Sequence, residues 1–345
     1  MEVAFRHERV GWYFQDMAHT DDFAPNRHAP APAATPTWPA ELSKPVILVM
    51  GAGAVGGYFG AKLALAGFPV RLVARGAHLE AIRATGLRVT GMIGDVTVRL
   101  PADADPGAFG ETPDLVVMGV KSMDTAGAIG QLAGVMGPDT QILAIQNGIA
   151  NYGELATAFG AHRVVRGYCR VGSEIAAPGH IHQTAFGEIV FGEEDGATSG
   201  RITRIDLLLR CAGIQSKPTP TIRVEVWKKF AWNVMLNMTT GLTGVTIDRL
   251  FADPDSEAVV AGLFAEVSAV AAYHGVTLTD ADYRSIAEPS RKLVGYKTST
   301  MQDRLKGKPL EYGIFVGYLS AEGKRLKVPT PVADVIHGLF KTLDP

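Results

Sequence analysis

Short, mostly apolar runs recur along the first 150 residues and are separated by stretches with helical spacing. The clearest are Ile47 to Met50, Pro69 to Arg75, Asp114 to Val120 and Gln141 to Gln146. Runs of this length without polar alternation are typical of strands that are buried on both faces of a parallel sheet. Strands that alternate with helices predict an α/β fold, here a doubly wound sheet of the Rossmann type.

Between and after these runs the pattern predicts additional strands, and then a helix. Leu87 to Thr90 and Val96 to Leu100 alternate like the two arms of a hairpin, and short β-like runs separated by glycines lie between Arg163 and Glu193. Arg201 to Ala212 has the spacing of an amphipathic helix. Pro218 and Pro220 follow it and predict a linker.

The remainder of the chain predicts helices only, so we expect an all-helical C-terminal domain. The expected helices are Glu225 to Met238, Ser256 to His274, one that begins near Asp280, Leu310 to Leu326, and Pro331 to Leu343. The predicted organisation is therefore a dinucleotide-binding domain over 45–218 and a helical substrate and catalytic domain over 219–345.

Residues 1–44 are interpreted as an extension that is poorly ordered. Four prolines lie between His28 and Ala40, and a run of this composition resists both helix and sheet. Early charges such as Glu2 and Arg6, with no apolar segment after them, do not match a secretory signal.

A glycine-rich turn follows the first strand and leads directly into a helical pattern. Its residues are Gly51, Ala52, Gly53, Ala54, Val55 and Gly56. Between a strand and a helix, GxGxxG indicates dinucleotide binding, because the second glycine lets the backbone approach a pyrophosphate at the helix N-terminus. The alternative is an ordinary glycine turn in another α/β unit.

The residue at the end of the second strand favours NADP(H) over NAD(H). NAD sites place Asp or Glu about 20 residues past the glycines, whereas this chain has Arg75 and no acid before Glu80. A guanidinium binds a 2′-phosphate with paired hydrogen bonds, and a carboxylate repels it. The alternative for Arg75 is a solvated residue at a strand end.

Two polar residues end later predicted strands. Lys121 follows one buried run and Asn147 follows the next. Because ligands bind at the carboxyl ends of parallel strands, we expect both to face the cofactor and substrate cleft. Each could equally be a loop residue, with Asn147 in a left-handed turn before Gly148.

A polar seam runs along an otherwise apolar helix. Lys229, Asn233 and Asn237 are spaced i, i+4, i+8, so successive residues differ by about 40° around an α-helix and share one face. A buried lysine could protonate a developing alkoxide while the amides hold the substrate. The alternative is a seam that faces solvent or is satisfied across a domain interface.

Composition excludes several classes of function. The 345 residues carry a net charge of −2 with 47% hydrophobic content, so we expect a soluble, cytoplasmic protein that binds neither nucleic acid nor membrane. Cys169 and Cys211 are interpreted as reduced thiols, and their spacing predicts no metal site. A homodimer is possible, but no feature selects it.

Several separate segments resemble the ketopantoate reductase (2-dehydropantoate 2-reductase) family over residues 45–342. They are GAGAVGGYFG, LVARG, VK at 120–121, QNG at 146–148, WKKFAWNVMLN and TSTMQD with a following glutamate. The resemblance implies NADPH-dependent reduction of a small 2-oxo acid. It implies that Arg75 binds the 2′-phosphate, that Lys121 and Asn147 line the cleft, and that Lys229 is the general acid. Asn233, Asn237, Ser299 and Glu311 would bind the substrate.

The departures from the family pattern lie at the substrate end. Tyr312 and Gly313 replace the isoleucine and aspartate that usually follow the glutamate, and Thr300 separates Ser299 from the methionine. These departures bear on the identity of the 2-oxo acid rather than on the reaction type. A dehydrogenase of the same fold for another 2-oxo or hydroxy acid, and a non-catalytic NADP-binding protein, stay open as alternatives.

Overall fold

The computed structural model describes residues 35–343 and divides them into two compact units. The first unit extends to Arg223 and the second begins at Val224. Residues 1–34, most of the predicted extension, lie outside the described residues. Residues 35–44 pack on the first unit: Trp38 is buried, its ring stacks edge-on against Phe68 at 5.4 Å, and Lys44 Nζ donates to the Gly67 carbonyl at 3.0 Å. The prediction of poor order is therefore wrong for residues 35–44, because this segment packs on the first unit.

The first unit contains one ten-stranded sheet. Its strands are β1 (Ile47–Met50), β2 (Val70–Val73), β3 (Leu87–Gly91), β4 (Gly94–Val98), β5 (Ala102–Asp103), β6 (Leu115–Met118), β7 (Gln141–Ala144), β8 (Val164–Ala177), β9 (His180–Gly192) and β10 (Gln215–Pro218). The spatial order is β4-β3-β9-β8-β7-β6-β1-β2-β5, with β10 beside β9. When β3, β4, β9 and β10 are set aside, β5-β2-β1-β6-β7-β8 is the Rossmann strand order.

Helices cover both faces of the parallel part of the sheet. They are α1 (Ala54–Leu65), α2 (Gly76–Thr85), α3 (Thr125–Leu132), α4 (Ala150–Phe159) and α5 (Gly200–Cys211). Residues of β1 alternate between two cores: Ile47 and Val49 pack in the cluster with α1 and α5, whereas Leu48 and Met50 pack in the cluster with α3 and α4. The predicted doubly wound α/β architecture is confirmed.

The β8–β9 hairpin is larger than the sequence predicts. Short runs separated by glycines are in fact two strands of 14 and 13 residues, with register shifts near Arg170, Gly172 and Ile175. These irregularities explain the error, because a β-bulge interrupts the alternation that a pattern search counts. The sequence pattern does not predict β10, because its sequence Gln-Ser-Lys-Pro has no run of apolar side chains.

From Ile222 to Leu343 the described chain contains helices and no strand. The helices are α6 (Ile222–Trp232), α7 (Met238–Thr243), α8 (Ile247–Phe251), α9 (Pro254–Tyr273), α10 (Asp280–Ser290), α11 (Ser299–Leu305), α12 (Val316–Leu326) and α13 (Pro331–Leu343). The expected all-helical second half is confirmed in the described residues.

One of these helices, α9, is long and apolar enough by length and composition to cross a membrane. It also packs against α12 and α13 of its own unit, and Glu266 in its middle accepts hydrogen bonds from the backbone N–H groups of Val332 and Ala333. A helix whose buried side is covered by protein passes the same test of length and hydropathy.

The helix predicted over Glu225 to Met238 is not a regular α-helix along its whole length. After α6 the chain makes a π-helical segment, Asn233–Asn237, in which the Met238 N–H donates to the Asn233 carbonyl five residues back. Two threonine hydroxyls donate to carbonyls of this segment, Thr239 Oγ1 to Met235 O at 2.5 Å and Thr240 Oγ1 to Leu236 O at 2.7 Å. Such segments are rare and frequently occur at functional sites.

Candidate active site

The glycine turn between β1 and α1 is shaped by close backbone contacts. Gly51 has a φ of +95°, and a Cβ there would lie 2.7 Å from the Val120 amide nitrogen. A Cβ on Gly56 would lie 2.1 Å from the Gly51 carbonyl oxygen. Both positions therefore require glycine, the first for conformation and space and the second for space alone.

Gly53 is the exception, because a Cβ at this residue would have no protein atom within 4 Å. Its φ of −71° suits any residue, so nothing inside the fold demands glycine here. Gly53 is also the N-cap of α1, with no side chain capping the helix and no acidic residue in the first turn. An open, positively polarised helix start of this kind fits the pyrophosphate of a dinucleotide.

Arg75 lies at the N-cap of α2, directly after β2, and its side chain is 84% exposed. Its guanidinium is 2.9 Å from Oδ2 of Asp124, which lies after β6. An exposed ion pair is worth at most about 1 kcal/mol, so a phosphate can displace Asp124 at little cost. The role of Arg75 as the ligand of a 2′-phosphate stays a prediction.

Lys121 and Asn147 lie in two neighbouring loops, after β6 and β7, and both side chains are exposed. The loops are joined by the buried Asn151 on α4, whose Nδ2 donates to the Asn147 carbonyl at 2.6 Å and to Ser122 Oγ at 3.0 Å. Ser122 Oγ donates to the same carbonyl at 2.6 Å. Sequence reasoning missed Ser122 and Asn151, because only the fold brings these loops together.

The amides of the predicted seam meet in the π-helical segment. Asn237 Nδ2 lies 3.1 Å from Asn233 Oδ1 and 3.1 Å from Ser299 Oγ at the start of α11. Both asparagines are buried, yet Asn233 Nδ2 and Asn237 Oδ1 have no hydrogen-bond partner in the described structure. A buried polar atom left unpaired costs roughly 1–3 kcal/mol, so one free donor and one free acceptor side by side indicate a place for a polar ligand.

The two adjacent lysines of α6 differ in their surroundings. Lys228 is buried and its Nζ lies 3.4 Å from Asp282, the residue that completes the capping box of α10. Lys229 is half-buried and lies four residues before Asn233, with its Nζ 4.7 Å from the centre of the Trp232 ring. Lys228 therefore has a structural partner within the helical unit, and Lys229 is the lysine in sequence register with the amides.

Ser299 and Glu311 come from different elements of the helical unit. Ser299 is exposed at the first turn of α11, where Thr298 caps the helix and contacts Thr240 Oγ1 at 2.6 Å. Glu311 is half-buried at the first residue of the 3-10 turn Glu311–Ile314. The structure thus brings Ser299 to the amides through Asn237, and it places Glu311 at a turn before α12.

Comparisons with known proteins agree with these observations. Residues 47–196 match the family model described as ketopantoate reductase PanE/ApbA, and residues 221–344 match the model of its C-terminal part. The chain belongs to the ketopantoate reductase family.

Individual relatives support the assignment along most of the chain. A 2-dehydropantoate 2-reductase from Mesorhizobium japonicum is 32% identical over 86% of this chain and 97% of its own. A ketopantoate reductase structure from Ralstonia eutropha has a TM-score of 0.78 at 31% identity, over 86% of this chain and 97% of its own. A D-mandelate dehydrogenase solved with NADH and anilino(oxo)acetate has a TM-score of 0.80 at 21% identity, over 86% and 97%, which shows a shared fold.

Membership of the ketopantoate reductase family makes this chain an oxidoreductase that uses a nicotinamide cofactor. The glycine turn that the family model covers is the one whose open side lies at Gly53. The two asparagines with unpaired polar atoms lie within the C-terminal family match.

Proposed function

We propose that the protein reduces 2-dehydropantoate (ketopantoate) to pantoate with NADPH, and that Lys229 is the general acid. The observation that carries the proposal is the buried pair Asn233 and Asn237, four and eight residues after Lys229, which presents one unpaired donor on Asn233 and one unpaired acceptor on Asn237. Relatives named 2-dehydropantoate 2-reductase supply the substrate class.

The cofactor half of the proposal assigns the dinucleotide to the first unit. The turn from Gly51 to Gly56 would hold the pyrophosphate on the N-terminus of α1, and Arg75 would bind the 2′-phosphate after leaving Asp124. Lys121 and Asn147 would line the cofactor from the ends of β6 and β7, where a Rossmann sheet binds its ligands. When bound, the reduced nicotinamide supplies a hydride to the keto carbon.

The substrate half assigns side chains of the helical unit. Lys229 would donate a proton to the oxygen that becomes an alkoxide, a role suited to a positively charged ammonium group. Asn233 Nδ2 would donate to a substrate oxygen, and Asn237 Oδ1 would accept from the hydroxyl that the reduction forms. Ser299 would contact the carboxylate and Glu311 the terminal hydroxyl. These groups orient the substrate and place positive charge where negative charge develops.

The domain assignment follows the same division. We propose that residues 45–218 bind the dinucleotide and that residues 219–345 bind the substrate and supply the proton. The departures Tyr312 and Gly313 lie next to Glu311, so the hydroxyl end of the substrate is where this chain would differ from the family pattern.

The test is an NADPH oxidation assay at 340 nm with ketopantoate and a panel of other 2-oxo acids, phenylglyoxylate included, each repeated with NADH. We expect ketopantoate with NADPH to have the highest kcat/KM of the panel. Fast turnover of another 2-oxo acid with none of ketopantoate would replace the substrate and keep the reaction. Dinucleotide binding without turnover of any acid would contradict the enzymatic proposal.

A further inference from the structure

His78 makes two hydrogen bonds that fix its tautomer. It lies in the first turn of α2, three residues after Arg75, and is half-buried. Its Nε2 is 3.0 Å from the Ala52 carbonyl oxygen, and the Gly179 N–H donates to its Nδ1 at 3.0 Å. A carbonyl only accepts and an amide N–H only donates, so the ring is neutral with its hydrogen on Nε2. Burial lowers the pKa of His78, which favours this neutral form.

The first of these bonds acts on the glycine turn itself. Ala52 is held from both sides: its N–H donates to the Val73 carbonyl at 2.7 Å, and its carbonyl accepts from His78. In a trans peptide the C=O and the following N–H point in opposite directions. The bond from His78 therefore aims the Gly53 N–H away from the ring.

The direction in which the Gly53 N–H points matters because of the space around Gly53. A Cβ on Gly53 would meet no protein atom within 4 Å, so this residue borders the open side of the turn. Backbone N–H groups at such a turn are the donors to a pyrophosphate. A rotation of the Ala52–Gly53 peptide would move one of these donors off its target.

We propose that His78 is a positioning residue for the pyrophosphate of the dinucleotide, acting through the Ala52–Gly53 peptide. This inference rests on the proposed cofactor function. The bond from Gly179 has a separate role, since it ties α2 to the turn between β8 and β9. Because NADPH and NADH share the pyrophosphate, His78 contributes equally to the affinity for both.

Two substitutions separate the two bonds of His78. In His78→Gln the terminal amide nitrogen reaches as far as Nε2 and can still donate to Ala52. In His78→Asn the amide oxygen takes the place of Nδ1 and can still accept from Gly179. His78→Ala removes both bonds, and His162→Asn at an exposed histidine is the matched control.

The measurement is the Kd of NADPH and of NADH by fluorescence titration, with the Tm of each protein recorded. We expect His78→Asn and His78→Ala to weaken both dinucleotides by the same factor, roughly 3- to 10-fold, while His78→Gln and His162→Asn stay within about 2-fold of wild type. Equal Kd values for the Asn and Gln variants, or the reverse order, would overturn the inference while the cofactor assignment stands. A wild-type protein that bound neither dinucleotide would overturn the proposed function as well.

Discussion

The proposed cofactor region and the proposed substrate region of this protein are built from different parts of the chain. The glycine turn presents backbone, and the side chains predicted around it, Arg75, Lys121 and Asn147, are exposed. The π-helical segment presents buried side chains, Asn233 and Asn237, which bond to each other and leave two polar atoms unpaired. A backbone site depends on the space that glycine leaves, and a side-chain site depends on the register of a helix.

This difference separates the two kinds of damage that a substitution can do. A side chain added at Gly53 would disturb only a ligand, whereas most changes within the buried seam also disturb packing. Lys229 differs from the two asparagines of the seam, because it is half-buried and they are buried. Substitutions in the two regions can therefore show whether loss of ligand binding and loss of packing are separable.

Lys229→Met should lower kcat by about 10²- to 10⁴-fold, the usual contribution of a general acid. The Kd of NADPH, measured by fluorescence titration, should stay near the wild-type value because the glycine turn is unchanged. Near-normal turnover would remove Lys229 from the mechanism.

Lys228→Met is the matched control for this variant. It should lower the Tm, because it leaves Asp282 without its buried lysine, and the protein that remains folded should keep most of its kcat. A loss of turnover equal to that of Lys229→Met would show that the two lysines had been assigned the wrong way round.

Gly53→Ala should weaken NADPH about 10-fold or more without lowering the Tm, since the added methyl group meets only the ligand. Gly56→Ala places a Cβ against the Gly51 carbonyl and should lower the Tm, with an expected loss of roughly 1–3 kcal/mol of stability from overpacking. Thermal unfolding and cofactor titration of the pair check both halves. A destabilised Gly53→Ala variant would contradict the description of this turn.

Arg75→Gln should raise the Kd of NADPH about 10-fold and leave the Kd of NADH unchanged, because a charge-assisted contact to the 2′-phosphate is lost. Its exposed position makes an effect on the Tm small. Titration with both dinucleotides is the measurement. An equal loss for NADPH and NADH would show that Arg75 does not read the 2′-phosphate.

Asp124→Asn should tighten NADPH by about 2- to 4-fold, the smallest effect of the series. It removes a carboxylate that competes with the 2′-phosphate for Arg75, and an exposed ion pair of this kind is worth at most about 1 kcal/mol. NADH binding should not change. Weaker NADPH binding would mean that Asp124 orients Arg75 for the phosphate.

The two regions also differ in how much of them the sequence predicts. The glycine turn and Arg75 are local features, since a motif of six residues encodes a turn of six residues. The spacing of Lys229, Asn233 and Asn237 predicts the seam for a regular α-helix. It does not predict the π-helical segment in which Asn237 contacts Ser299.

Other parts of the candidate sites depend on contacts between distant residues. His78 meets Ala52 and Gly179, which are 26 and 101 positions away, and Asn151 joins loops that only the sheet brings together. Nothing in the local pattern around His78 or Asn151 marks them. The sequence does not predict the full length of the β8–β9 hairpin, because register shifts between the two strands interrupt the alternation of polar and apolar residues.

The most direct test of the proposed reaction is the transfer of deuterium to ketopantoate from NADPH that is labelled at both C4 positions. Mass spectrometry of the product measures the label, and the Lys229→Met variant serves as the control. We expect the wild-type protein to form pantoate that carries one deuterium. The variant should form almost no deuterated pantoate, although both proteins bind NADPH with similar Kd. Wild-type protein that binds labelled NADPH but yields no deuterated pantoate would contradict it.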